Sequence, residues 1–185
     1  MITVRALLLG LVALSLAACR PTTPAGRYEK DGLGFEYLAG WQVTEDSQRT
    51  ARFVNVEGPD HAVLGISIFA PHLDVSLDRY VEATTDARSA GVKKTLTVAG
   101  VNLGSEDPIA APTPIERNVA GAPVHGLEQH FTIKVINTAV PHTVDFLRAT
   151  LADRALLLMA QSADKHRDAA NTGFQKIFDT LALRR

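Results

Sequence analysis

Hydrophobic positions change their spacing several times along this chain, and each change marks a boundary. The run from Ala6 to Leu16 is apolar almost throughout and follows a single positive charge at Arg5. It falls short of the roughly 20 apolar residues that cross a bilayer, so it reads as an export signal and not as a membrane helix. Residues 20 to 30 are mostly polar and hold Pro21, Pro24 and Gly26, the composition of a flexible tether. Period-two alternation begins near Gly34, where Phe35, Tyr37, Trp41 and Val43 alternate with polar or small residues around a bend at Gly40. Further strands are expected at Ala51 to Val56 and Val63 to Phe69, separated by the turn residues Gly58, Pro59 and Asp60.

The period then lengthens. Leu77, Tyr80, Val81, Thr84 and Ala87 recur at helical spacing, with Ser76 or Asp74 able to cap the start and Gly91 suited to the exit. Lys94 to Val98 reads as another strand. Gly100 to Pro114, with Gly104, Pro108, Pro112 and Pro114, reads as a long surface loop inside one domain.

The C-terminal third predicts a three-strand meander and a helix. A four-residue connection at Asn137 to Val140 would pair Ile136 with Pro141, Ile133 with Val144 and Phe131 with Phe146 on an apolar face. The other face would carry Glu128, His130, Thr132 and Lys134, with Asp145 near Lys134 and Thr132. Ala155 to Ala160 is apolar at every position, as in a strand covered on both sides. A helix from about Asp164 to Leu181 presents the stripe Ala170, Phe174, Ile177, Phe178 and Leu181. The expected class is α+β: an antiparallel β-sheet flanked by helices on its faces.

Leu16-Ala17-Ala18-Cys19 resembles the lipobox of bacterial lipoproteins, in which cleavage precedes a cysteine that then carries the acyl chains, palmitate among them. That resemblance implies lipidation at Cys19 and close to permanent attachment to the membrane. Arg20 stands where an aspartate would retain a lipoprotein at the inner membrane, so the expected site is the outer membrane, facing the periplasm. Ordinary secretion, cut after the small-x-small run Ser15-Leu16-Ala17, is the alternative. The expected organisation is a signal peptide over residues 1–18, a lipidated cysteine and tether over 19–30, and one globular domain over 31–185.

Composition narrows the partners. The chain has 19 basic and 20 acidic residues, and losing Arg5 with the leader leaves a small negative charge with no like-charge block, which argues against nucleic acid. Cys19 is the only cysteine, so no disulfide can form within the chain.

Candidate chemistry is sparse. The six histidines, His61, His72, His125, His130, His142 and His166, follow no metal-ligand spacing, and no metal or other cofactor is expected. Ser67 in Gly65-Ile66-Ser67-Ile68-Phe69 lacks the second glycine of a nucleophile elbow. Gly91-Val92-Lys93-Lys94-Thr95 lacks the glycine that a phosphate-binding loop places before its lysine. The expectation is a protein that is not an enzyme. The polar strand face, Glu128, His130, Lys134 and Asp145, is the candidate interaction surface.

Gly34-Phe35-x-Tyr37-x-x-Gly40-Trp41, two short strands, a helix, an irregular loop, a meander and a C-terminal amphipathic helix together resemble the PsbP-like fold. That superfamily takes in the photosystem PsbP proteins and the DcrB-type and LpqN-type lipoproteins. The resemblance implies an α/β/α sandwich used for binding and assembly, without a shared catalytic centre and without functional residues to carry over. The expected function is a non-catalytic module that binds another envelope protein. The alternative is a carrier or sensor of a small apolar ligand, held where Phe131, Phe146, Leu157, Met159, Phe174 and Phe178 would converge.

Overall fold

The computed structural model describes residues 24–95, 97–98, 101–102, 104–106 and 110–184. The leader and Cys19 lie outside the described residues. Strands β1 (Gly26–Lys30) and β2 (Leu33–Tyr37) form a hairpin, followed by β3 (Gln42–Ser47), β4 (Ala51–Glu57) and β5 (Val63–Phe69). Helix α1 (Leu77–Thr95) leads into the short strands β6 (Thr97–Val98), β7 (Val101–Asn102) and β8 (Gly104–Glu106). Then come β9 (Thr113–Val119), β10 (Ala122–Val135), β11 (Thr138–Leu151), β12 (Arg154–Ala163), α2 (Arg167–Thr180) and β13 (Ala182–Leu183).

Eight strands make one antiparallel sheet in the order β3-β4-β5-β12-β11-β10-β8, with β9 also paired to β10. A second sheet, β1-β2-β13, joins the first and last strands of the described residues. The central strands β5 and β12 are those whose sequences are apolar on both faces, because helices or side chains cover them from both sides.

Alternation along the strands sorts the core into two. Leu147, Ala149, Leu156, Leu158, Ala160, Val54, Val56, Leu64 and Ile66 face α2, which buries its predicted stripe of Ala170, Phe174, Ile177 and Phe178 against them. On the opposite face Phe131, Val144 and Phe146 meet α1 through Val81, with Leu77 and Tyr80 half-buried. Sheet dominates the molecule, and α1 is the thinner cover: Val81 is its one buried residue between Leu77 and Val92.

Trp41 is keyed into the α2 side. Its ring meets Phe174 edge-on at 5.5 Å between centroids and an interplanar angle of 79°. A Cβ on Gly58 would come within 2.7 Å of the indole, and one on Gly173 would reach 2.5 Å from Cε2 and closer still to Cζ2. Both glycines therefore exist to admit the ring.

Several expectations need correction. The tether ends earlier than residue 30, because Gly26–Lys30 is the strand β1, closed onto β2 by the left-handed pair Asp31 and Gly32 at φ 45° and 80°. The opening strand is two strands, β2 and β3, broken where Gly40 takes φ 84°. Helix α1 runs through Gly91 to Thr95. The expected loop from Gly100 to Pro114 contains β7, β8 and the start of β9, so the meander has four strands, with β9 turning into β10 at Ala120 and Gly121. The β10–β11 connection is the two residues Ile136 and Asn137, which pairs Val135 with Thr138 and Phe131 with His142. That is a slide of four residues from the expected register. An even slide leaves every side chain on its expected face.

Candidate functional site

The polar end of the α2 side is built from four elements. In the β10–β11 ladder Glu128 stands opposite Asp145, and in the β9–β10 ladder Arg117 stands opposite Val124 on the same face. A short 3-10 turn at Asp164–His166 starts α2, so that Arg167 occupies its first residue. A guanidinium there sits at the positive end of the helix dipole and needs a carboxylate. Asp145 supplies it: one carboxylate oxygen accepts from Arg167 Nη2 at 2.5 Å, and the other accepts from Arg117 Nε at 2.9 Å. Glu128 stands 3.5 Å from Arg117 and 3.7 Å from Arg167, closing a four-residue cluster. Asp145 is only 3% exposed, and two arginines are what make a carboxylate tolerable at that depth.

A second network adjoins the first. Thr143 donates its hydroxyl hydrogen to Asp164 at 2.7 Å and contacts His130 Nδ1 at 3.0 Å, while His130 Nε2 lies 3.3 Å from Glu128. Glu128, His130, Thr143, Asp145 and Asp164 thereby fasten the start of α2 to the sheet.

The predicted surface is divided. Its four residues share a face, as alternation requires, but Asp145 lies beside Glu128 and not beside Lys134, which stands opposite Ala139 six residues along β10. Six residues of strand span about 20 Å. Asp145 is buried and Glu128 is engaged with the arginines; His130 and Lys134 are the two that reach solvent. Arg117 and Arg167 went unnoticed in the sequence. The signal was an aspartate inside Val144-Asp145-Phe146-Leu147, since a carboxylate in so apolar a run demands a cationic partner.

The other candidates are dispersed. His166 lies 3.3 Å from Asp60, His125 lies 3.5 Å from Glu116, and His142 stacks on Phe131 at 5.1 Å. Among the described residues no three His, Cys, Asp or Glu side chains are grouped to hold a metal ion. Ser67 Oγ lies 3.1 Å from the Tyr80 hydroxyl, between sheet and α1, where burial raises the tyrosine pKa. The six apolar residues expected to converge do not: Phe131, Phe146, Leu157 and Met159 face α1, whereas Phe174 and Phe178 pack on the other side. A surface groove of about 660 Å³ runs beside α2 with Arg117, Asp168, Asn171 and Gln175 among its walls. Leu38, Phe174 and Phe178 complete it, so its lining mixes apolar and charged side chains.

One part of the sheet has no cover on the α2 side. Strand β12 stops pairing at Ala163, opposite His142, so Thr138 to Pro141 have β10 on one side and no strand on the other among the described residues, and α2 begins farther back, at the level of Asp145. The end of the β10–β11 hairpin projects beyond both.

No family model matches the chain, and no curated protein sequence matches it. Its structure is similar to the solution structure of cyanobacterial PsbP from Synechocystis sp. PCC 6803, with TM-score 0.45 and 15% identity over 92% of this chain and 99% of that one. It is also similar to LpqN, involved in cell envelope biogenesis of Mycobacterium tuberculosis, with TM-score 0.35 and 11% identity over 89% and 86% of the two chains. A protein of unknown function from Pseudomonas aeruginosa gives TM-score 0.34 and 11% identity over 88% and 99%. PsbP-like proteins, which the opening motif resembles, are thus among its structural neighbours.

Proposed function

We propose that this chain is a lipid-anchored lipoprotein of the bacterial cell envelope whose domain is a non-catalytic binding module for another envelope protein. The observation that carries the reading is the end of the β10–β11 hairpin: it runs past β12 and α2, is flanked there only by the short β8 among the described residues, and contributes no fully buried side chain beyond Phe131 on β10, Ile133 being half-buried. Such a feature costs chain entropy and adds little core beyond Ile133, and reach toward a partner accounts for it. The charged groups at the start of α2 fit a structural role, because Asp145 and Glu128 bond Arg117 and Arg167, with the buried Arg167 Nη1 left without a hydrogen-bond partner. Helices on both faces fit the α/β/α sandwich of the PsbP-like fold, with α1 as its thin layer. Acylation at Cys19 and the outer membrane, facing the periplasm, complete the reading.

Two experiments test it. Radiolabelled palmitate should enter the wild-type chain and not Cys19→Ala, and the label should sediment with outer membranes; a soluble, unlabelled wild type would refute the anchor. Crosslinking in intact cells should yield a specific protein adduct with the anchored form that Cys19→Ala loses, and no adduct above background would refute the module.

A further inference from the structure

The hairpin turn at Ile136 and Asn137 contradicts ordinary turn chemistry. Ile136 takes φ 53°, left-handed backbone that glycine and asparagine adopt readily and that a β-branched side chain adopts only with strain. The asparagine is the neighbouring residue, so exchanging the two would relieve it. Ile136 is also 73% exposed, the most exposed large hydrophobic residue described, so core packing gives nothing back for that strain. A strained and solvent-facing side chain that adds nothing to the core points to a role outside the fold.

The surroundings choose the occupant. Lys134, opposite Ala139, is the one charge among residues 132–141, whereas adhesion to an anionic lipid surface calls for a cluster of lysines or arginines there. Ile136 lies eight residues along β10 from Glu128, where α2 begins, which is about 27 Å of extended strand. The N-terminal hairpin β1–β2 packs toward the other end of α2, where Glu36 meets Lys176 and Thr180. A chain tethered through β1 therefore carries Ile136 at its far end. Pro141, which has no N–H, stands where β11 loses its neighbour, and this discourages a further strand from adding along the edge.

On the reading of the chain as an envelope binding module, we infer that Ile136 is the anchor residue of its interaction surface, a peg that enters an uncharged apolar socket, sized for a branched aliphatic side chain, on the partner protein. Contact through so small a tip is weak alone, and anchoring both proteins in one envelope raises the effective concentration that makes it sufficient.

The test places a photoreactive benzoylphenylalanine at Asn137 or Thr138 of the full, lipidated chain in its own cells, with His125 and Arg79 on other surfaces as control positions. The expected result is a protein adduct from the tip positions that falls at least tenfold with Ile136→Asn and persists with Ile136→Leu, its crosslinked peptide lining an apolar pocket. Relieving the strain should also raise the folding equilibrium constant of Ile136→Asn about fivefold or more, so loss of the adduct cannot come from misfolding. Adducts only with lipid, adducts only with a second copy, an adduct indifferent to Ile136→Asn, or an Ile136→Asn chain less stable than wild type would each overturn the assignment. An adduct from His125 or Arg79 without one from the tip refutes the peg and leaves the module standing; no adduct from any position refutes both.

Discussion

Replacing Gly173 by alanine should destabilise this domain, although the same exchange inside most helices stabilises by about 1 kcal/mol. The sign is set by Trp41. An alanine Cβ would stand 2.5 Å from indole Cε2 and nearer still to Cζ2, well inside van der Waals contact. The ring has nowhere to retreat, since it is 3% exposed, approaches Gly58 on a second side and meets Phe174 edge-on. Overpacking of this kind costs about 1–3 kcal/mol. Against the helix-propensity gain, the net loss at the upper part of that range is about 1–2 kcal/mol, and with a slope near 2 kcal/mol per molar the urea midpoint falls by roughly 0.5–1 M. Trp41 is the only tryptophan, so its fluorescence follows unfolding at the perturbed site itself. Urea titration of the soluble chain lacking residues 1–19 is the assay. Trimming the ring by Trp41→Phe in the same chain should recover at least 1 kcal/mol of coupling in a double-mutant cycle. A Gly173→Ala midpoint at or above that of wild type would refute the steric argument.

Asp145→Ala should cost about 3 kcal/mol in urea unfolding, because it strands Arg117 and Arg167 with only Glu128 to balance them; a loss below 1 kcal/mol would show that Glu128 alone suffices. Hydrogen bonding from Tyr28, with further bonds from Lys30, Ser47 and Arg52, holds the Glu45 carboxyl down at about 2 against an ordinary 4.5. A depressed carboxyl stabilises the fold above its unfolded value and ceases to do so as pH falls through the folded one. Wild type should therefore lose stability between about pH 4.5 and 2 more steeply than Glu45→Gln, measured by urea midpoints at stepped pH; parallel profiles would refute the role of Glu45. Gly126→Ala should destabilise by about 1–3 kcal/mol, since its Cβ would collide with the carbonyl oxygen of Phe146 and the side chain of Leu147; a neutral result would mean that the ladder yields there.

What could be read from the sequence was what side-chain period records. Val63 to Phe69 was legible as a short, almost wholly apolar run bounded by turn residues, and the stripe Ala170, Phe174, Ile177 and Phe178 because burial there recurs nearly every four residues. The faces of β10 and β11 were legible for the same reason. Their register was not, because it is fixed by a two-residue turn whose Ile136-Asn137 sequence carries no usual turn signal. The opposite failure occurred at Lys30–Leu33, where Asp31-Gly32 is a strong hairpin signal that a mostly polar, proline-containing segment obscured. The arginine cluster was the least legible part. Arg117 and Arg167 are 50 residues apart in number, and only the fold shows that both address Asp145.

The small sheet that joins the first and last strands of the described residues bears on when folding can finish. Gly34 pairs with Ala182 and the Gly32 carbonyl accepts from the Arg184 amide, so β2 must wait for residues that follow it by nearly the length of the domain. Pairing across nearly the whole length carries a large loop-closure cost and delays completion. On the proposed reading of the chain as an exported lipoprotein, β2 gains this partner only once β13 has emerged, so the small sheet is incomplete during passage.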